Sequence, residues 1–130
     1  WFAGLREKFP PEVRYCGIVP FEKSVEVVKD YFALLFPTHF ATEGIPGTIL
    51  DAYAAGVPVI ASRWGGFRDI VEDGATGMGY PYQQNERLKE VMGKAVLGPK
   101  RYLDMKIKCL QKAESFRPER VIQTLIRELA

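Results

Sequence analysis

Residues 32–62 read FALLFPTHFATEGIPGTILDAYAAGVPVIAS, and their punctuation decides the fold. The continuous apolar run Phe32 to Phe36, stopped by Pro37, suits a strand covered on both faces. A helix is expected from Pro46 or Gly47 to Ala55. Pro46 fits a first helical turn, where its missing N–H costs nothing, and Gly56 fits the position just past the helix end. Val57 to Ala61 then reads as a second buried strand. Strand, helix, strand in this order argues for a parallel sheet with right-handed crossovers.

The alternation continues outward. Trp1 to Phe9 predicts a short helix ended by Pro10-Pro11, and Val13 to Val19 a short strand running into Pro20. Glu22 to Tyr31 predicts a helix, with Val25, Val28 and Phe32 at helical spacing and Ser24 helping to start it. Downstream, Gly65-Gly66 makes a turn before a short helix through Val71. Asp73-Gly74 and Gly77 punctuate a turn before a last strand at Met78 to Tyr80. The remainder is helical: Glu86 to Leu97 closed by Gly98-Pro99, Lys100 to Ser115, a break at Phe116-Arg117-Pro118, and Glu119 to Leu129. About four strands are expected in all.

With 130 residues, 47% apolar and 26% charged, the chain has the make-up of one globular domain. A net charge of +2 implies no strong field, and no clustered basic face suggests a nucleic-acid partner. Lys100, Arg101, Lys106, Lys108 and Lys112 alternate with apolar residues as a solvated helix face does, which leaves a weak attraction to anionic lipid open. Cys16 and Cys109 lack metal-ligand spacing and read as small buried thiols, in keeping with a reducing cytoplasm. No apolar run is long enough to span a bilayer. Trp1, Phe2 and Leu5 are expected to bury a patch against whatever precedes them.

Ligands of open α/β sheets bind beyond the carboxyl ends of the strands. That rule selects four loops: 17–20, 38–47, 62–66 and 80–82. The second is the richest. A helix opening near Gly47 leaves backbone N–H groups without helical partners, and these together with the helix dipole favour a phosphate. Gly44 and Gly47 remove side chains that would hold a ligand off the backbone. Glu43 precedes the turn and Asp51 lies about one turn into the helix, so two acids flank the anion site and can accept hydrogen bonds from hydroxyls. A ligand with phosphates in the middle and hydroxyls at both ends fits that layout, and a nucleotide sugar is one. Spacing alone also allows a helix-start acid and a solvated helix acid.

Other residues in these loops carry weaker signals. His39 is the only histidine; it reads as a surface or packing residue or as a substrate contact, with no neighbour for a metal site. Ser62 has no partner histidine for a nucleophilic role and reads as a turn or cap residue. Trp64 either lines the cleft or packs in the open, and Tyr80 and Tyr82 cover the sheet end.

Glu43-Gly44-Ile45-Pro46, Asp51 separated from Glu43 by seven residues, and Gly56-Val57-Pro58-Val59-Ile60-Ala61-Ser62 together resemble the donor-site signature of retaining GT-B glycosyltransferases, the group 1 or family 4-like enzymes. Gly65-Gly66-Phe67-Arg68-Asp69-Ile70-Val71 and Asp73-Gly74-Ala75-Thr76-Gly77 resemble the turns that follow it in the family. Val13 to Val19 resembles the strand leading to the base-binding loop, and Phe116 to Leu129 the terminal helix.

The resemblance implies a Rossmann-like three-layer α/β/α domain over 1–130, the C-terminal half of a GT-B fold without its first strand–helix unit. Residues 117–130 would pack toward an N-terminal, acceptor-binding domain. By the same resemblance, Glu43 is catalytic and lies near the donor sugar's hydroxyls, and Asp51 accepts hydrogen bonds from the ribose. The backbone of Gly44, Ile45, Pro46 and Gly47 faces the sugar, Thr48 and Ile49 meet the pyrophosphate, and Gly17 to Val19 border the base.

The implied reaction is retaining transfer of a hexose from a nucleoside-diphosphate sugar to a lipid-linked or saccharide acceptor in surface-glycan assembly. It needs no metal and no cofactor, and it would take place in the cytoplasm or peripherally at the inner face of the membrane. Asp51 and Asp69 stand where the family usually has Glu. The family's Arg and Lys that neutralise the pyrophosphate have no counterpart, so this chain alone is expected to be inactive. A non-catalytic nucleotide-sugar-binding subunit working with a partner chain is the alternative. A flavodoxin-like module would instead show an acidic cluster at its first strand and no Glu43–Asp51 bracket.

Overall fold

The computed structural model describes residues 2–96 and 98–129. Trp1 and Leu97, expected in the first and fifth helices, and Ala130, expected in the terminal segment, lie outside the described residues. Three parallel strands form the sheet: β1 (Leu34–Phe36), β2 (Val59–Ser62) and β3 (Gly77–Tyr80), in the order β1-β2-β3. Leu35 pairs with Ile60, and Ile60 with Met78. The helices are α1 (Phe2–Arg6), α2 (Ser24–Val28), α3 (Gly47–Ala54), α4 (Phe67–Ile70), α5 (Leu88–Val96), α6 (Pro99–Ser115) and α7 (Pro118–Leu129). Among the described residues no helix is long and apolar enough to cross a membrane.

The chain follows the expected strand–helix–strand path from β1 through α3 to β2, and from β2 through α4 to β3. Pro46 caps α3 in an extended conformation, and Gly56 takes φ +67° just beyond it, a left-handed turn that an L side chain resists. Ile49, Ala52 and Tyr53 of α3 are buried, and α6 packs on α3 with Cys109 in the same core cluster. All four residues of β2 are buried, as its unbroken apolar sequence requires for the central strand.

Four expectations are corrected. Val13 to Val19 is not a strand: it has no regular structure and is exposed throughout. Gly17 at φ +84° breaks the extended run, and no backbone hydrogen bond ties the segment to the sheet, so three strands are seen among the described residues. The Phe32–Phe36 run is not covered on both faces, because Leu35 is 42% exposed, and among the described residues β1 is an edge strand paired with β2. Glu22 to Tyr31 is split into a 3-10 turn (Phe21–Lys23) and the short α2. There Ser24 Oγ donates back to the Phe21 carbonyl at 2.9 Å instead of accepting from a helix N–H. Cys16 is exposed, and only Cys109 is buried.

Candidate functional site

Because the three strands are parallel, their carboxyl ends bring the loops after Phe36, Ser62 and Tyr80 to one edge of the sheet. Side chains join those loops. Ser62 Oγ donates to the Thr38 carbonyl at 2.7 Å. Thr38 Oγ1 accepts from the Phe40 N–H at 3.1 Å and donates to Glu43 Oε2 at 3.2 Å. The half-buried Glu43 carboxylate is therefore held by a threonine that β2 itself positions.

α3 begins four residues after Glu43. No side chain caps it, and no acid lies in its first turn to compete for an anion. Ile49 N–H donates to Pro46 O at 3.0 Å and Leu50 N–H reaches the same oxygen at 3.4 Å. The N–H groups of Gly44, Gly47 and Thr48 have no acceptor among the described residues. A Cβ placed on Gly44 or Gly47 would meet nothing within 4 Å, so the surface in front of these donors is open. Asp51 lies four residues after Gly47, on the same helix face and away from the buried Ile49, Ala52 and Tyr53. Its half-buried carboxylate makes no hydrogen bond or ion pair among the described residues. Open N–H donors with an acid to either side can hold an anionic group carrying hydroxyls.

A second set of contacts borders the site. His39 Nε2 lies 2.9 Å from Asn85 Nδ2, and Asn85 Oδ1 accepts from the Tyr80 hydroxyl at 3.2 Å. An amide nitrogen donates, so His39 Nε2 is the acceptor of this contact. The Tyr82 hydroxyl donates to the His39 carbonyl. Burial raises the Tyr80 phenol above its ordinary pKa, so it stays a protonated donor. Tyr80 and Tyr82 thus cover the sheet end as expected, whereas Asn85 was not anticipated: one amide in a polar turn has no distinguishing spacing.

Glu43, Gly44, Ile45, Pro46, Gly47, Thr48, Ile49 and Asp51 form one continuous loop and helix start. Gly17 and Val19 make no hydrogen bond to it; beside them, Cys16 Sγ lies 3.8 Å from the Tyr31 hydroxyl. No group of three or more His, Cys, Asp or Glu side chains suited to a metal occurs among the described residues. An enclosed cavity lies elsewhere, near the amino ends of the strands, among Phe32, Val59, Met78, Tyr102 and Met105. Its walls are mostly apolar, with Lys94 and Arg101 also lining it.

The family model described as "Glycosyl transferases group 1" matches residues 2–96, well over half of the chain. No curated protein matches.

Proposed function

The chain belongs to the group 1 glycosyltransferases, and on that premise we propose that it is the nucleotide-sugar-binding half of a retaining GT-B enzyme. The observation that carries this reading is the open start of α3. Unpartnered N–H groups at Gly47 and Thr48 face an uncapped helix end, with Glu43 before them and Asp51 behind. The pyrophosphate takes the Gly47 and Thr48 N–H groups and the positive end of the helix dipole. Ile49, already bonded to Pro46, contributes the least of the three. Gly44 to Pro46 lie along the sugar, Asp51 accepts from the ribose hydroxyls, and Glu43 meets the sugar beside the reacting carbon.

In the reaction, the bond from the anomeric carbon to the phosphate oxygen breaks. A bond to the acceptor hydroxyl oxygen forms on the same face of the sugar, the hydroxyl proton passes to the departing phosphate oxygen, and the nucleoside diphosphate leaves. Its charge is stabilised by fixed backbone donors without a metal. The donor is a hexose nucleotide, the acceptor is a lipid-linked or saccharide hydroxyl in surface-glycan synthesis, and the enzyme works in the cytoplasm at the membrane face. α7 supports the need for a partner. Val121, Ile122, Leu125, Ile126 and Leu129 make one apolar stripe along it, and all are more than half exposed. An acceptor-binding domain would cover that stripe. The same stripe also fits a non-catalytic donor-binding subunit joined to a separate catalytic chain.

An NMR titration with UDP, GDP and ADP tests the reading. Shifts centred on Gly44 to Asp51 for one nucleotide are expected. Asp51→Ala is expected to weaken that binding by about 1–3 kcal/mol, through loss of charge-assisted hydrogen bonds. Equal affinity would remove Asp51 from the site.

A further inference from the structure

Trp64 sits in a polar turn after β2 yet is only 3% exposed, its ring packed edge-on against Phe36 and Phe67 with centroids 5.6 Å away in each case. Its indole N–H donates to the backbone carbonyl of Glu43 at 3.1 Å. The next residue, Gly65, donates its N–H to Ala41 O at 3.0 Å. A Cβ on Gly65 would lie 2.8 Å from that same oxygen, and one on Gly66 would lie 3.1 Å from Trp64 Nε1 and 3.4 Å from Glu43 O. The Gly65-Gly66 pair is thus occupied by the backbone of residues 41–43, and the absence of side chains there lets the two loops touch.

We propose that Trp64 is the positioning residue of the donor loop, acting through the Glu43 carbonyl on the Gly44 N–H; this rests on the donor-site reading above. The peptide between Glu43 and Gly44 is planar and trans. Holding its oxygen toward Trp64 therefore directs its N–H the opposite way, out of the turn. That N–H has no acceptor among the described residues, and a Cβ on Gly44 would meet nothing within 4 Å. It is the donor placed for the sugar portion of a nucleotide sugar, while Gly47 and Thr48 take the phosphates. Pre-organised donors cost no reordering when ligand arrives.

Trp64→Phe keeps an aromatic ring between Phe36 and Phe67 and removes the indole N–H together with part of the ring's volume. Binding of UDP-glucose, GDP-mannose and ADP-glucose to wild type and variant is compared with binding of the bare diphosphates. For the sugar nucleotide that wild type binds, the variant's Kd is expected to rise about three- to tenfold, while the bare nucleotide changes by less than about twofold. The Gly44 amide resonance of the ligand-free protein is expected to move, with those of β2 and β3 in place. An unchanged Gly44 resonance, or equal losses for both ligand types, overturns the positioning role while leaving the donor site standing. If wild type binds no nucleotide, the donor-site reading fails and this role falls with it. Should Trp64→Phe not fold, Gly66→Ala crowds the same bond with the tryptophan in place; the same selective loss is expected, and wild-type affinity for the sugar nucleotide overturns the proposal.

Discussion

Ser62 and Thr38 are joined across the carboxyl edge of the sheet by a 2.7 Å hydrogen bond, from a fully buried hydroxyl to a backbone carbonyl. The bond links the central strand to the loop that carries Glu43, and Thr38 passes the constraint on through its own hydroxyl. Ser62→Ala leaves the Thr38 carbonyl without this donor. A stability loss of about 1–2 kcal/mol is expected in urea unfolding, together with a shift of the Thr38 and Glu43 amides. An unchanged midpoint would mean that the loop is held from elsewhere.

The βαβ core was legible because its signals are local. Pro46 opening α3, Gly56 closing it and the apolar run of β2 each constrain the backbone where they stand. Val13 to Val19 misled for the opposite reason. Its composition suits a strand, but a strand exists only by pairing, and pairing is not written in seven residues. The loop of Glu43 and the helix of Asp51 were readable from glycine, proline and acid spacing. Contacts that cross between loops were not. Trp64 to Glu43 and Asn85 to His39 join residues 21 and 46 positions apart, and only the sheet brings them together.

Tyr53 and Thr76 form the polar centre of the core. The Tyr53 hydroxyl donates to Ile70 O at 3.1 Å and lies 3.0 Å from Thr76 Oγ1, which also accepts the Glu72 N–H at 3.0 Å. With the tyrosine proton given to Ile70, the threonine hydroxyl donates to Tyr53, and every atom is satisfied. Tyr53→Phe strands Ile70 O and the Thr76 proton in the interior and is expected to cost about 1–3 kcal/mol. Thr76→Val removes the same contact from the other side, so the double variant should lose less than the sum of the singles. Additive losses in urea denaturation would show the two groups to be independent.

Glycines at two positions are expected to respond in opposite ways. A Cβ on Gly47 meets nothing within 4 Å, so Gly47→Val should fold and lose nucleotide binding by blocking the start of α3. At Gly77, a Cβ would collide with the Val59 carbonyl and lie 2.9 Å from Val71 Cγ1. Gly77→Ala is therefore expected to destabilise by roughly 1–3 kcal/mol or more, since neither neighbour is a free side-chain end. Thermal melts and nucleotide titrations of both variants check the contrast; normal binding by Gly47→Val would place the phosphate elsewhere.

The two thiols make the last test, because burial separates them. Cys16 is exposed, while Cys109 is buried under α3 with its thiol donating to Thr76 O at 3.4 Å. At pH 8, a thiol reagent should modify Cys16 at once and Cys109 only as fast as the core opens. Burial pushes the Cys109 thiol up to about 12 from its ordinary 9.0. Between those values the unfolded chain has released a proton that the folded chain keeps, so stability is full below about pH 9 and falls as pH rises toward 12. Burial raises Tyr53 as well, which steepens the decline in the same direction. Urea midpoints at pH 8 and pH 10 should therefore drop for wild type and drop less for Cys109→Ala. Equal slopes would show that the Cys109 thiol is not what the alkaline transition must ionise.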